Sequence, residues 1–285
     1  MKNYIIKLKD NISKLAPGER KIAEYLLNNL DDLNGLSSKN MSMIVGVAQS
    51  SISKFCKKMG AKGFSELKLS LLLEHNKNQA EIKRNPHLHG STNSNDTLPI
   101  IAEKLLHSNI ESMRNTIDNL DFEKLEEVIN LIDKSHKIQI IGIGGSALVA
   151  QDLTNKLLKI GYSAIFNLDT HAQISVTQTL HSDDLLIALS YSGETNEIVL
   201  AANVAKKCKA KIIAITSYCD SRLKKIADIN LITVSDESKW RSSSLSTRIA
   251  QASIIDIIFV GLIRLNDKAS IRHIKRSNTL IKKLR

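Results

Sequence analysis

Apolar positions along this chain fall into two regimes. Through the first seventy-odd residues they recur at helical spacing. Ile22, Tyr25, Leu26 and Leu30 lie at i, i+3, i+4 and i+8 on one face. Ala16-Pro17-Gly18-Glu19 opens that helix, with proline suited to the first turn and Glu19 to the positive end of the helix dipole; Asn34-Gly35 is expected to close it. In the next stretch Met41, Val45, Val47, Ile52 and Phe55 bracket a single Gly46, the spacing of a helix-turn-helix. A further helix begins just after Gly63, with Leu67, Leu71 and Leu72 as its core face. From His75 to Thr97 apolar residues nearly vanish, and Asn85-Pro86, Gly90 and Ser91 to Asn95 predict a flexible polar connection.

Beyond it, helices are expected from Pro99 to Leu120 and, started by Asp121, from Phe122 to Ile132. The pattern then changes to short, almost continuously apolar runs: 137–143, 164–166, 185–189, 211–216 and 229–234. Helical stretches separate most of these runs. Strands alternating with helices predict a parallel sheet covered on both faces, with ligands beyond the C-terminal strand ends. The fold class is therefore α/β: an all-α N-terminal domain followed by a doubly covered parallel sheet.

Two of those strand ends carry hydroxyl- and glycine-rich turns. Ser190-Tyr191-Ser192-Gly193-Glu194-Thr195 links the run 185–189 to a helix expected from Asn196 to Lys207, and Gly144-Gly145-Ser146 links the run 137–143 to a helix over 147–159. A helix N-terminus offers unpaired N–H groups to an anion, and Ser and Thr hydroxyls can donate to the same oxygens. A capped helix start explains either turn taken alone. Gly142, Gly144 and Ala147 also fit the dinucleotide fingerprint, with Asp169 near the place of its ribose-binding acid. Two hydroxyl-rich loops together favour a phosphate monoester, because a dinucleotide has no use for the second.

Charge sharpens the first domain. The net charge is +11, and residues 1–84 hold 15 Lys/Arg against 8 Asp/Glu. A basic balance concentrated there suggests a polyanion partner. The outward face of the second helix of the motif presents Gln49, Ser50, Ser51, Ser53, Lys54 and Lys57, types that bond base edges and phosphates. Cys56, Cys208 and Cys219 have no metal-ligand spacing, and buried reduced thiols are expected. No metal, cofactor or catalytic set is indicated. The longest apolar run, 253–263, is too short to span a bilayer and contains Asp256, which predicts a cytoplasmic protein without a membrane partner.

Pro17-Gly18-Glu19-Arg20, Gly46-Val47, Ser51-Ile52-Ser53-Lys54-Phe55-Cys56-Lys57-Lys58-Met59-Gly60 and Gly63 to Lys68 resemble the N-terminal domain of RpiR-type bacterial transcription regulators. Ala48 departs from that pattern, standing where the family usually has a capping Ser. Residues 128–268 resemble sugar isomerase (SIS) domains, whose phosphosugar loop matches Ser190, Ser192 and Thr195, with Gly145 and Ser146 from the first turn. The resemblance implies domains at 1–77 (DNA-binding), 78–97 (linker), 98–127 (connecting helices), 128–268 (SIS) and 269–285 (a basic C-terminal helix).

Within the family, 141–149, 159–162, Asp169-Thr170-His171 and Glu237 to Ser244 look like the MurR-type branch, which implies repression of N-acetylmuramic acid uptake and catabolism genes relieved by N-acetylmuramic acid 6-phosphate. Arg241 or a nearby hydroxyl would meet the lactyl carboxylate of that sugar. By the same resemblance the oligomer would be a homodimer or homotetramer. The competing class is a SIS-fold enzyme, a phosphosugar isomerase or muramic acid 6-phosphate etherase. Glu237 lies where SIS isomerases carry an acid/base carboxylate; here it is read as a solvated residue before a helix. His171 is either a ligand contact or a packing residue.

Overall fold

A computed structural model describes residues 4–84, 95–235 and 245–283, with the side chains of 13 and 77–84 left aside. It divides into two compact units, Met1–Glu111 and Ser112–Arg285.

The first unit is helical: α1 (Tyr4–Asn11), α2 (Pro17–Asn28), α3 (Ser38–Val45), α4 (Gln49–Lys58), α5 (Phe64–Arg84) and the start of α6 (Leu98–Asp118). Ile22, Leu26, Met41, Ile52, Phe55, Leu67 and Leu71 are buried in one core with Tyr4 and Leu8 of α1. The helical spacing thus predicted the inward faces. Two expectations are corrected. α2 stops at Asn28 and does not reach Asn34-Gly35: Asn29 leaves the helical backbone at φ −127° and ψ 38°, its side-chain amide on the Tyr25 carbonyl. The polar stretch after His75 is not irregular throughout, since α5 continues to Arg84; the rest of it, 85–94, lies outside the described residues. The stretch is rich in residues of good helix propensity, which favours a helix without an apolar periodicity to announce it.

In the second unit α6 ends and α7 (Phe122–Lys134) follows, its N-cap Asp121 accepting from the Lys124 N–H. Then come β1 (Ile138–Gly142), α8 (Gly145–Lys159), β2 (Ala164–Ile165), α9 (Thr170–Thr177), β3 (Leu185–Leu189), α10 (Asn196–Lys207), β4 (Lys211–Thr216), α11 (Arg222–Ile226), β5 (Ile229–Ile232), α12 (Leu245–Leu265) and α13 (Asp267–Lys282). All strand pairs are parallel, in the order β2-β1-β3-β4-β5. Alternate strand residues face opposite layers. Ile140, Ile187 and Ile213 pack with residues of α7, α8 and α12, whereas Ile141, Ala188 and Ala214 pack with residues of α10. The basic α13 packs on α8 and α12, with Ile274 against the core.

Of the cysteines only Cys56 is buried, its thiol pushed up to about 11 by burial; Cys208 and Cys219 are half-exposed, which corrects the expectation of three buried thiols. No single described helix is long and apolar enough to cross a membrane.

Glu74 of α5 is buried and accepts from the backbone N–H groups of Tyr4 and Ile5 at 2.8 and 2.9 Å, so it caps α1 across the chain. Burial pushes its carboxyl from the ordinary 4.5 up to about 6, against the opposing pull of those two N–H groups. A carboxyl raised on folding takes up a proton between those values, so its contribution is most favourable below 4.5 and declines as pH climbs through about 6. Urea titrations followed at the Ile5 and Leu8 methyl resonances should show the first unit losing stability over that range, and Glu74→Gln should flatten the dependence.

Candidate functional site

In an open parallel sheet the crevice lies where the strand order reverses, and for the order 2-1-3-4-5 that point is between β1 and β3. Register places Gly142 opposite Leu189 there, so the turns that leave the two strands emerge side by side. They are the two hydroxyl-rich turns singled out in the sequence. Together Ile143, Gly145, Ser146, Leu189, Ser190, Tyr191, Ser192 and Thr195 line a pocket of about 230 Å³. Five of the predicted ligand residues, Gly145, Ser146, Ser190, Ser192 and Thr195, are thus brought to one place. The sixth, Arg241, lies outside the described residues, as do Glu237 and Trp240. His171 is exposed on α9.

The β3–α10 turn is built from its own hydroxyls. Ser190 Oγ accepts from the Gly193 N–H at 3.2 Å and lies 3.1 Å from Thr195 Oγ1, while Ser192 Oγ accepts from the Glu194 N–H at 3.2 Å. Gly193 has φ +63°, and a Cβ there would stand 2.1 Å from Ser221 Oγ, so only glycine fits. Arg222 holds the outer side of the turn: it pairs with the Glu194 carboxylate at 2.7 Å and donates to the Glu194 carbonyl at 2.6 Å and to Asn196 Oδ1 at 2.9 Å. Glu194 is therefore engaged with α11.

Thr195 and Gly144 are the N-caps of α10 and α8, and neither supplies a side-chain cap. Two helix N-termini thus offer N–H groups that no side-chain cap takes up, and no side chain lining the pocket carries a formal charge. Neutral donors and two dipole ends suit an anion that brings its own charge. Asp169 N-caps α9 by accepting from the Ala172 N–H at 2.7 Å, which gives that acid a structural task in place of a ribose contact.

Sequence reasoning missed two polar neighbours. Tyr191 lines the pocket and sends its hydroxyl to the Ser235 carbonyl at 2.9 Å. Ser235 in turn meets Thr247 Oγ1 of α12 at 2.9 Å, and the adjacent Val234 exchanges two hydrogen bonds with Thr116 Oγ1 of α6, at 3.0 and 3.2 Å. Gln251 of α12 is fully buried and donates to Ser146 Oγ at 3.1 Å. A glutamine inside the apolar run of α12 was the available signal.

In the first unit α3 and α4 form the helix-turn-helix. Gly46 caps α3 at φ +70°, with its N–H on the Ser42 carbonyl at 3.0 Å. α4 begins at Gln49 with Ala48 as an extended N-cap lacking a side-chain bond, so the departure at position 48 leaves the helix start in place. Ile52, Phe55 and Cys56 point inward, while Gln49, Ser50, Ser51, Ser53, Lys54 and Lys57 are all exposed. Gln49 Nε2 donates to Ser38 Oγ at 2.9 Å, tying the start of α4 to α3. Among the described residues no cluster of His, Cys, Asp or Glu could hold a metal ion.

Two family models match: "Helix-turn-helix domain, rpiR family" over residues 2–78 and "SIS domain" over residues 131–261. The chain thus joins an rpiR-family helix-turn-helix domain to a SIS domain. Among solved structures it is similar to the NanR protein of Vibrio vulnificus complexed with ManNAc-6P, at 20% identity and TM-score 0.63 over 99% of each chain. It is also similar to the sugar isomerase domain of an RpiR transcription factor from Sphaerobacter thermophilus, at 18% identity and TM-score 0.58 over 65% of this chain and 99% of that one. A Methanococcus jannaschii protein inferred to be a 3-hexulose-6-phosphate isomerase matches at 26% identity and TM-score 0.51, over 61% of this chain and 97% of that one.

Gly193→Ala should cost more than about 1 kcal/mol, since the added methyl needs both a strained φ and the space of Ser221. A lowered Tm together with lost binding of inorganic phosphate by calorimetry would show both effects; an unchanged Tm would contradict the glycine requirement.

Proposed function

We propose that this protein is a cytoplasmic transcriptional repressor of N-acetylmuramic acid uptake and catabolism genes, released from its operator by N-acetylmuramic acid 6-phosphate. The observation that carries this reading is the pocket at the β1/β3 switch point, with two helix N-termini lacking side-chain caps and the hydroxyls of Ser146, Ser190, Ser192 and Thr195, in a chain that also bears an rpiR-family helix-turn-helix. The choice of the muramic sugar is supported by the resemblance of 141–149, 159–162 and 237–244 to the MurR-type branch. NanR of V. vulnificus, of the same fold, is complexed with ManNAc-6P, which supports a sugar phosphate as the class of effector.

On the DNA side, Gln49, Ser50, Ser51 and Ser53 at the start of α4 read base edges, and Lys54 and Lys57 take phosphates. A homodimer or homotetramer would present α4 to half-sites about 34 Å apart or a multiple of it. The effector acts only by binding the DNA-competent and incompetent arrangements unequally.

Gel shifts on the DNA upstream of the protein's own gene cluster, with and without N-acetylmuramic acid 6-phosphate, test the reading, with the sugar assayed afterwards. Retarded DNA, released by intact sugar, is expected. Catalytic consumption of the sugar would instead favour a SIS-fold enzyme. Each of Lys54→Ala and Lys57→Ala should weaken operator binding and lower the slope of log K against log salt by about 1. A slope unchanged in both would remove α4 from the phosphate contacts.

A further inference from the structure

α12 contributes two polar side chains, one buried and one half-buried, each with a buried polar atom that the fold leaves unexplained. Gln251 is fully buried, and although its Nε2 donates to Ser146 Oγ, its Oε1 has no partner among the described residues. Arg248, three residues earlier, has a buried Nε that likewise has none among them. A buried donor or acceptor left unpaired is destabilising, more so for a charged group, so two a single helical turn apart point to something that pairs them.

Their position says where that partner sits. Thr247 is joined through Ser235 to the pocket-lining Tyr191, and Gln251 is joined directly to the pocket-lining Ser146. Arg248 lies in the chain between these two ties and neighbours Gln251 on the helix surface, as residues three apart do. The helix also runs parallel to α8, because Gln251 meets Ser146 near the start of α8 whereas Asp256 meets Lys156 near its end, at 2.6 Å. Residue 248 therefore lies toward the N-terminus of α8, the open side of the sheet where the pocket is.

Chemistry then divides the labour. By donating to Ser146 Oγ, the Gln251 amide occupies one lone pair of that hydroxyl and leaves its single O–H free to point into the pocket. Gln251 is a positioning residue for the phosphate end. Arg248 brings a permanent charge and a planar fork of donors, which suits a carboxylate in a two-pronged contact. The phosphate already has neutral donors on two sides, so a guanidinium at this edge matches a second acidic group.

We propose that the effector site extends onto the first turns of α12, where Arg248 binds the carboxylate of an acidic sugar phosphate and so sets the choice among sugar phosphates. This rests on the sugar-phosphate reading of the same pocket. Arg241, the guanidinium expected from sequence to meet that carboxylate, lies outside the described residues.

The full-length protein is titrated calorimetrically with N-acetylmuramic acid 6-phosphate and with N-acetylglucosamine 6-phosphate, which lacks the lactyl carboxylate. Wild type should prefer the former by about tenfold or more, as expected for a hydrogen-bonded charge pair. Arg248→Met should reduce the preference to within about twofold while leaving N-acetylglucosamine 6-phosphate affinity nearly unchanged. Gln251→Leu should instead weaken both ligands alike, because it acts on the phosphate end. If Arg248→Met does not fold by circular dichroism, Arg248→Lys decides, since it keeps the charge and loses the fork: a preference cut several-fold supports the proposal, and an unchanged one overturns it. Equal weakening of both ligands by Arg248→Met, or no change in either, overturns it as well. Equal affinity of wild type for the two sugars overturns the carboxylate subsite alone, whereas no affinity for either overturns the sugar-phosphate reading and this inference together.

Discussion

The parallel pairing of β1 with β3 is the constraint on which the second unit depends. Gly142 stands opposite Leu189, and with that register both strands end at the same level. β2 lies on one side of β1 and the later strands run out on the other, so the connections diverge to opposite faces and leave a crevice between them. Both strands are buried along their full length, and a slip of one residue would turn every side chain to the wrong layer. The hydrophobic pattern thus fixes the register, and the register fixes where the hydroxyls of two distant turns meet.

Much of this was legible in the chain itself. The apolar runs marked all five strands, and the bounds of α10 were readable because Thr195 and Cys208 frame an uninterrupted helical pattern. The pocket was legible because two such turns follow two apolar strands: a capped helix start explains either alone, and their pairing favoured a ligand. What was not legible depended on contacts between residues far apart in sequence. α2 ends early where the backbone of Asn29 leaves the helical region, a choice that composition does not signal. Gln251 meets Ser146 across 105 positions, and only its polarity within an apolar helix hinted at a role. The helical course of α5 to Arg84 was hidden because helix propensity without an apolar face looks the same as a linker.

The helix-turn-helix illustrates how burial sorts residues that composition lumps together. Ile52, Phe55 and Cys56 are consumed by the core, which leaves α4 with a face made only of short polar and cationic side chains. Basic charge alone did not distinguish that face from an ordinary lysine-rich surface. The tie from Gln49 to Ser38 holds the start of the helix without the serine cap its family favours, so the exposed edge keeps its orientation by a contact across the turn.

One set of hydrogen bonds has a mechanical meaning. Tyr191 anchors its ring at Ser235, the neighbouring Val234 both gives to and takes from Thr116, and Thr116 lies in the last turns of α6. Two bonds of opposite sense to a single hydroxyl, fully out of solvent, tie the chain after β5 to α6. The rim of the pocket and the end of α6 are thus linked through Tyr191, Ser235 and Val234. Thr116 belongs to the part of α6 that opens the second unit, so the rim of the pocket and the first helical turns of that unit share one chain of hydrogen bonds.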